Sequence, residues 1–209
     1  MNIKVLWNIA LSLAIVTVFY NIIEGLVSIY FGYTDQTLTL LGFGIDSFVE
    51  VLSGIGVWHM IVRIKRNDQE RDSFEKTALK ITGISFYLLT IGLILTVAYN
   101  IYIDHKPITT SWGIIISVIS ILTMVFLMKA KMFVGERLSS DAIIADANCT
   151  KTCVYLSVIL LVSSVLYELF KVGYIDSLGT IGIAYYAFME GRESIDKSKG
   201  KECCGSCRS

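Results

Sequence analysis

Long apolar windows alternate along the chain with short polar connections. Six windows stand out, Val5–Phe31, Thr37–Val62, Ala78–Ile103, Ile108–Met128, Ala142–Phe170 and Tyr174–Met189. A helix crossing ~30 Å of hydrocarbon at ~1.5 Å per residue needs about 20 apolar residues, which these windows supply or approach. In lipid a helix bonds all its backbone groups internally, so the pattern predicts an all-α, polytopic membrane helical bundle with six transmembrane helices. Residues 1–190 form this membrane domain, and 191–209 are expected as a short, polar, Cys-containing tail without fixed structure. The first window is too long for a cleaved signal peptide and holds Asn21 and Glu24 where an unbroken apolar core belongs, so it is read as a retained span.

Composition agrees with this reading. A 209-residue chain that is 54% hydrophobic, with one Pro and a mean hydropathy of +0.64, carries more apolar material than a soluble domain of that size buries. The formal net charge of zero conceals an asymmetry. When alternate connections are assigned to opposite sides, Lys4, the run from Arg63 to Lys80, the connection holding Lys129, Lys131 and Arg137, and the tail fall together. Of the 18 Lys and Arg, only Lys106, Lys151 and Lys171 fall elsewhere. The positive-inside rule then places both termini in the cytoplasm, and the plasma (inner) membrane is the expected location. The basic residues are dispersed at membrane edges, so lipid and not nucleic acid is the expected surroundings.

The five cysteines do not form a disulfide framework: Cys203, Cys204 and Cys207 lie in the cytoplasmic tail, Cys149 and Cys153 inside a span. The tail thiols read equally as a loose soft-metal capture arm or as a dangling reactive end.

Ionisable groups inside a span cost ~2.5–3.5 kcal/mol each at the helix centre on insertion scales, so each asks for a partner or a function. Asp46 and Glu50 sit one turn apart near the middle of the second window and project from one face, where they can converge on a small cation. Without a cation, two such carboxylates repel and retain a proton. In the fifth window Asp146, Cys149 and Cys153 fall at i, i+3 and i+7, again on one face. The two windows cross in opposite directions, which sets Asp46 level with Cys153 and Glu50 level with Cys149. Two oxygens and two sulfurs around one point suit tetrahedral Zn²⁺ or Cd²⁺. The plainer readings are packing cysteines, a structural hydrogen-bonded acid pair, and an Asp146 that pairs with Lys151 or sits near a helix start.

Other polar positions carry weaker signals. Asn21, Glu24 and Ser28 share a face, where Glu24 reads as a proton relay, an outer metal-receiving group or a helix-joining hydrogen bond. His59 beside Trp58 reads as an interfacial anchor. Asp104 and His105, near Pro107, read as solvated. Gly83, Gly92, Gly179 and Gly182 are expected to let helices approach closely.

The segments Gly-Phe-Gly-Ile-Asp-Ser-Phe-Val-Glu, ending at Glu50, and Ala145-Asp146-Ala147 followed by Cys149 and Cys153 resemble the motifs of the cation diffusion facilitator family. The resemblance implies six spans, cytoplasmic termini, a homodimer, and a metal site from the second and fifth spans at Asp46, Glu50, Cys149 and Cys153. Two features depart from the family. Cysteines stand where it places His and Asp, which argues against the hard ion Mn²⁺, and its cytoplasmic C-terminal domain is not matched.

These readings lead to a transporter, not an enzyme. It is expected to export Zn²⁺, Cd²⁺ or a softer divalent metal in exchange for protons, with no prosthetic group. A membrane thiol oxidoreductase using Cys149 and Cys153, and a membrane protein that binds metal without moving it, are the alternatives.

Overall fold

A computed structural model describes residues 3–34, 38–66, 70–103, 111–170 and 174–200. Six helices account for nearly all of them: α1 (Ile3–Thr34), α2 (Leu38–Arg66), α3 (Arg71–Ile103), α4 (Ser111–Leu138), α5 (Asp141–Phe170) and α6 (Tyr174–Ser198). Five of these, α1 to α5, are long and apolar enough to cross a membrane. Their outward surfaces carry large apolar side chains such as Phe19, Leu95, Leu122 and Phe126, each more than half exposed, as a lipid-facing surface requires. The chain is an all-α polytopic membrane bundle.

Among the boundaries that differ from the sequence reading, two matter for the site and the α3–α6 contact. The fourth window was expected to end at Met128, but α4 continues to Leu138 and carries Lys131 into the bundle interior. The polar stretch 191–198, expected to be irregular, completes α6. Gly191 and Ile195 hold that end against α3: a Cβ on Gly83 would come within 2.7 Å of Ile195 Cγ1 and 3.1 Å of the Gly191 carbonyl. Cys203, Cys204 and Cys207, and likewise Lys106, Asp104 and His105, lie outside the described residues.

Helix α1 packs on α2, α2 on α3, α3 on α6, and α4 on α5. Between α1 and α2 the close approaches pair Gly32 with Leu41, Gly25 with Gly44, and Val18 with Gly54. A Cβ on Gly44 would stand 2.8 Å from Ile29 Cγ1 and 3.0 Å from the Gly25 carbonyl, so only glycine allows the two backbones this near. Gly83 behaves as expected, whereas Gly92 and Gly182 face open space, with nothing within 4 Å of an added Cβ. Gly179 is helical, and its surroundings are not among those described.

The α4–α5 corner has only two residues, Ser139 and Ser140. Ser139 takes a left-handed φ of 47°, and the Ser140 N–H closes on the Gly135 carbonyl at 3.0 Å. Arg71 donates to the carbonyls of Leu138 (2.7 Å) and Ser139 (3.3 Å) and lies over the Trp7 ring. This corner ties α1 and α3 to the hairpin, and from it α5 runs back along both α4 and α2.

Candidate metal centre

The site is built where α5 crosses α2. Contacts pair Asp46 with Cys153, Glu50 with Thr150 and Ser53 with Asp146. The ascending order on α2 against the descending order on α5 gives the opposed, level register that the motifs imply. All four candidate ligands are buried: Glu50 at 0%, Cys149 and Cys153 at 1%, and Asp46 at 2% exposure. Both cysteines are free thiols.

The Cys153 thiol donates to Asp46 Oδ2 at 3.0 Å and also lies beside Glu50. Glu50 is held through its Oε1, which accepts from the Thr150 hydroxyl and faces the Lys131 ammonium at 3.8 Å. Cys149 sits within an apolar cluster that includes Val49, Phe86 and Leu156, with Glu50 and Asp146 among its electrostatic neighbours. Among the described residues, no three His, Cys, Asp or Glu side chains stand together as a ready-made metal cage. Glu50 Oε1 is instead committed to Thr150 of α5 and Lys131 of α4. Two acceptor atoms nevertheless remain buried without a hydrogen-bond partner, Asp46 Oδ1 and Glu50 Oε2. An orphaned carboxylate oxygen in a dry interior is costly.

Lys131 is the residue that the sequence reading misplaced. Counted there among cytoplasmic-edge cations, it is 2% exposed. Its ammonium bonds Asp146 Oδ2 and Thr150 Oγ1, each at 2.8 Å. Asp146 therefore pairs with Lys131 and not with Lys151, and it also accepts from the Ser53 hydroxyl at 2.7 Å. Ser53 in turn meets Thr82 of α3 at 3.0 Å. Lys151 lies over the rings of Tyr155 and Tyr186 instead. A signal existed: Met124, Leu127, Lys131, Val134 and Leu138 follow one another at steps of three and four, all on the buried face of α4.

A second polar cluster adjoins the site. Ser47, next to Asp46, donates to Glu24 Oε2, and Tyr20 donates to Oε1, each at 3.0 Å. Asn21, Glu24 and Ser28 do share a buried face of α1. Asn21 Oδ1 and Ser28 Oγ have no partner there. His59 is exposed and Trp58 packs on the apolar cluster at its end of the bundle.

Against known proteins, the model of the cation efflux transmembrane domain matches residues 12–199. The chain belongs to the cation efflux family. Among curated proteins, this cation efflux chain is 25% identical over 179 residues to an uncharacterized transporter of Methanocaldococcus jannaschii. The match covers 81% of this chain and 62% of that protein, so the chain spans under two thirds of its relative's length. The matched region takes in all of the α2 and α5 residues described above, which assigns them to the family's transmembrane domain.

Proposed function

We propose that this protein is a transmembrane exporter of a soft or borderline divalent cation, with Zn²⁺ or Cd²⁺ as substrate and protons as the exchanged ion. The observation that carries the proposal is the buried Asp46–Cys153 contact across α2 and α5, beside two unpartnered carboxylate oxygens on Asp46 and Glu50. A small swing of Glu50 and Cys149 toward that contact would give a two-oxygen, two-sulfur set suited to a tetrahedral d¹⁰ ion. Thiolates bias such a set toward soft metals and away from Mn²⁺. The ligands bind metal only when deprotonated, so proton and metal compete for the same atoms, and this competition couples their movements. With both termini in the cytoplasm, alternate exposure of α2 and α5 to the two faces would carry metal outward.

The deciding experiment is metal flux into sealed proteoliposomes, with Zn²⁺, Cd²⁺ and Mn²⁺ offered singly and in competition. Wild-type protein is expected to move Zn²⁺ or Cd²⁺ with counterflow of protons, whereas Asp46→Ala and Cys153→Ser, folded by size-exclusion profile, are expected to lose that flux or shift its metal preference. Undiminished flux with unchanged preference in both variants would remove the assignment. Metal binding without flux in the wild type would leave a metal-binding membrane protein in its place.

A further inference from the structure

Lys131 belongs to no motif that points to metal, yet it is the best-connected cation in the interior. Its ammonium has three donors. Two are engaged at 2.8 Å, with Asp146 Oδ2 and Thr150 Oγ1. The third approach, to Glu50 Oε1, is looser at 3.8 Å. Thr150 links the two sides, since the hydroxyl that accepts from Lys131 donates to Glu50. Oε1 of Glu50 is thereby engaged while its Oε2 is left without a partner.

We propose that Lys131 is a tethered cation that occupies one edge of the metal-free site, and that a divalent ion must displace it from Glu50 in order to bind. This inference rests on the metal-site reading and adds a specificity-determining residue to it. The unequal distances give the ammonium somewhere to go. It keeps its tight pair with Asp146, which Ser53 also holds, and gives up only the longer contact. Thr150 has a second acceptor for its proton, the Asp146 backbone carbonyl at 3.3 Å, so its hydroxyl can rotate off Glu50 without being orphaned.

The tether also sorts ions by charge. A competitor fixed to the protein acts at an effective concentration in the millimolar range or above, and it bears the same charge as Na⁺ or K⁺. A monovalent ion therefore gains nothing by replacing it. A divalent ion feels twice the Coulomb attraction of the carboxylates at the same distance and can prevail. Lysine suits this role better than arginine, because its compact, flexible ammonium binds as a point charge and releases without breaking a fork of paired bonds.

The test compares Cd²⁺ binding to purified wild-type protein and to Lys131→Met/Asp146→Asn, which removes both members of the pair so that no lone charge is left buried. A second variant, Thr150→Val, keeps the Lys131–Asp146 pair and cuts its hydroxyl-mediated link to Glu50, leaving only the direct 3.8 Å contact. Both variants are expected to bind Cd²⁺ more tightly, the double variant by roughly tenfold, the scale of one charged hydrogen bond. In the double variant, added K⁺ is expected to weaken Cd²⁺ binding by more than it does in the wild type. Folded variants with wild-type affinity and wild-type K⁺ response would overturn the role of Lys131 while leaving the metal site standing. A wild type that binds no Cd²⁺ would overturn both.

Discussion

Removing Lys131 alone should be far more damaging than removing it together with its partner. At an effective dielectric of about 20, unit charges 2.8 Å apart attract by about 6 kcal/mol, and the Glu50 contact at 3.8 Å adds about 4 kcal/mol. Against this stands a desolvation cost of several kcal/mol for each ion brought into the interior. The pair is therefore close to balanced as a whole, but a stranded member is not. Lys131→Met leaves Asp146, 1% exposed, and Glu50, 0% exposed, facing each other without the intervening cation. Breaking a buried pair in this way costs about 3–5 kcal/mol. For a chain of this size that corresponds to a fall in melting temperature of about 10 °C.

The measurement is a thermal melt of detergent-solubilised protein for the wild type, Lys131→Met, Asp146→Asn and the double variant, closed as a double-mutant cycle. Each single variant is expected to melt well below the wild type. The double variant is expected to recover most of the loss, because the remaining polar atoms keep Ser53 and Thr150 as partners. Additive losses, or a Lys131→Met protein that melts like the wild type, would refute the buried-pair reasoning.

Other consequences can be checked independently. Gly44→Val should loosen the α1–α2 contact at a cost of about 1–3 kcal/mol, because even its Cβ would press on Ile29 and on the Gly25 backbone. Gly92→Ala, in open space on α3, should be neutral or stabilise by up to about 1 kcal/mol, and equal melts for the two glycine variants would contradict the packing. Cd²⁺ affinity should decline as pH is lowered, since bound protons must leave before metal enters; calorimetry in buffers of different ionisation enthalpy should register proton release, and a pH-independent affinity would exclude exchange at this site. Cys149 and Cys153, both free and one helical turn apart, have Cβ atoms about 5–6 Å apart by helix geometry, too far for a disulfide. Mild oxidation followed by alkylation and mass spectrometry should therefore return two thiols, and a reversible loss of both would favour a redox enzyme.

The parts of this molecule that could be read from sequence are those with a period. Apolar windows of membrane-crossing length gave the helices, and i, i+4 and i, i+7 spacings gave the buried faces of α2 and α5, including the level pairing of Asp46 with Cys153. Lys131 escaped because two rules competed for it. Charge near the end of an apolar window suggests a cytoplasmic edge, while its place among Met124, Leu127 and Val134 suggests the core. The first rule describes an isolated helix in lipid, where a lone ammonium must reach water. The second holds only once Asp146 of α5 is brought alongside, 2.8 Å away, and no spacing along one helix reveals that. The same reasoning explains why the four candidate ligands do not form a finished cage. Side-chain spacing fixes which face each residue occupies, but whether Glu50 turns toward Asp46 or toward Thr150 depends on what the neighbouring helix offers. For the exporter proposed above, that division would help, since a site already closed around its ion would hold it through both halves of the cycle, whereas one assembled against a built-in cation could also be taken apart.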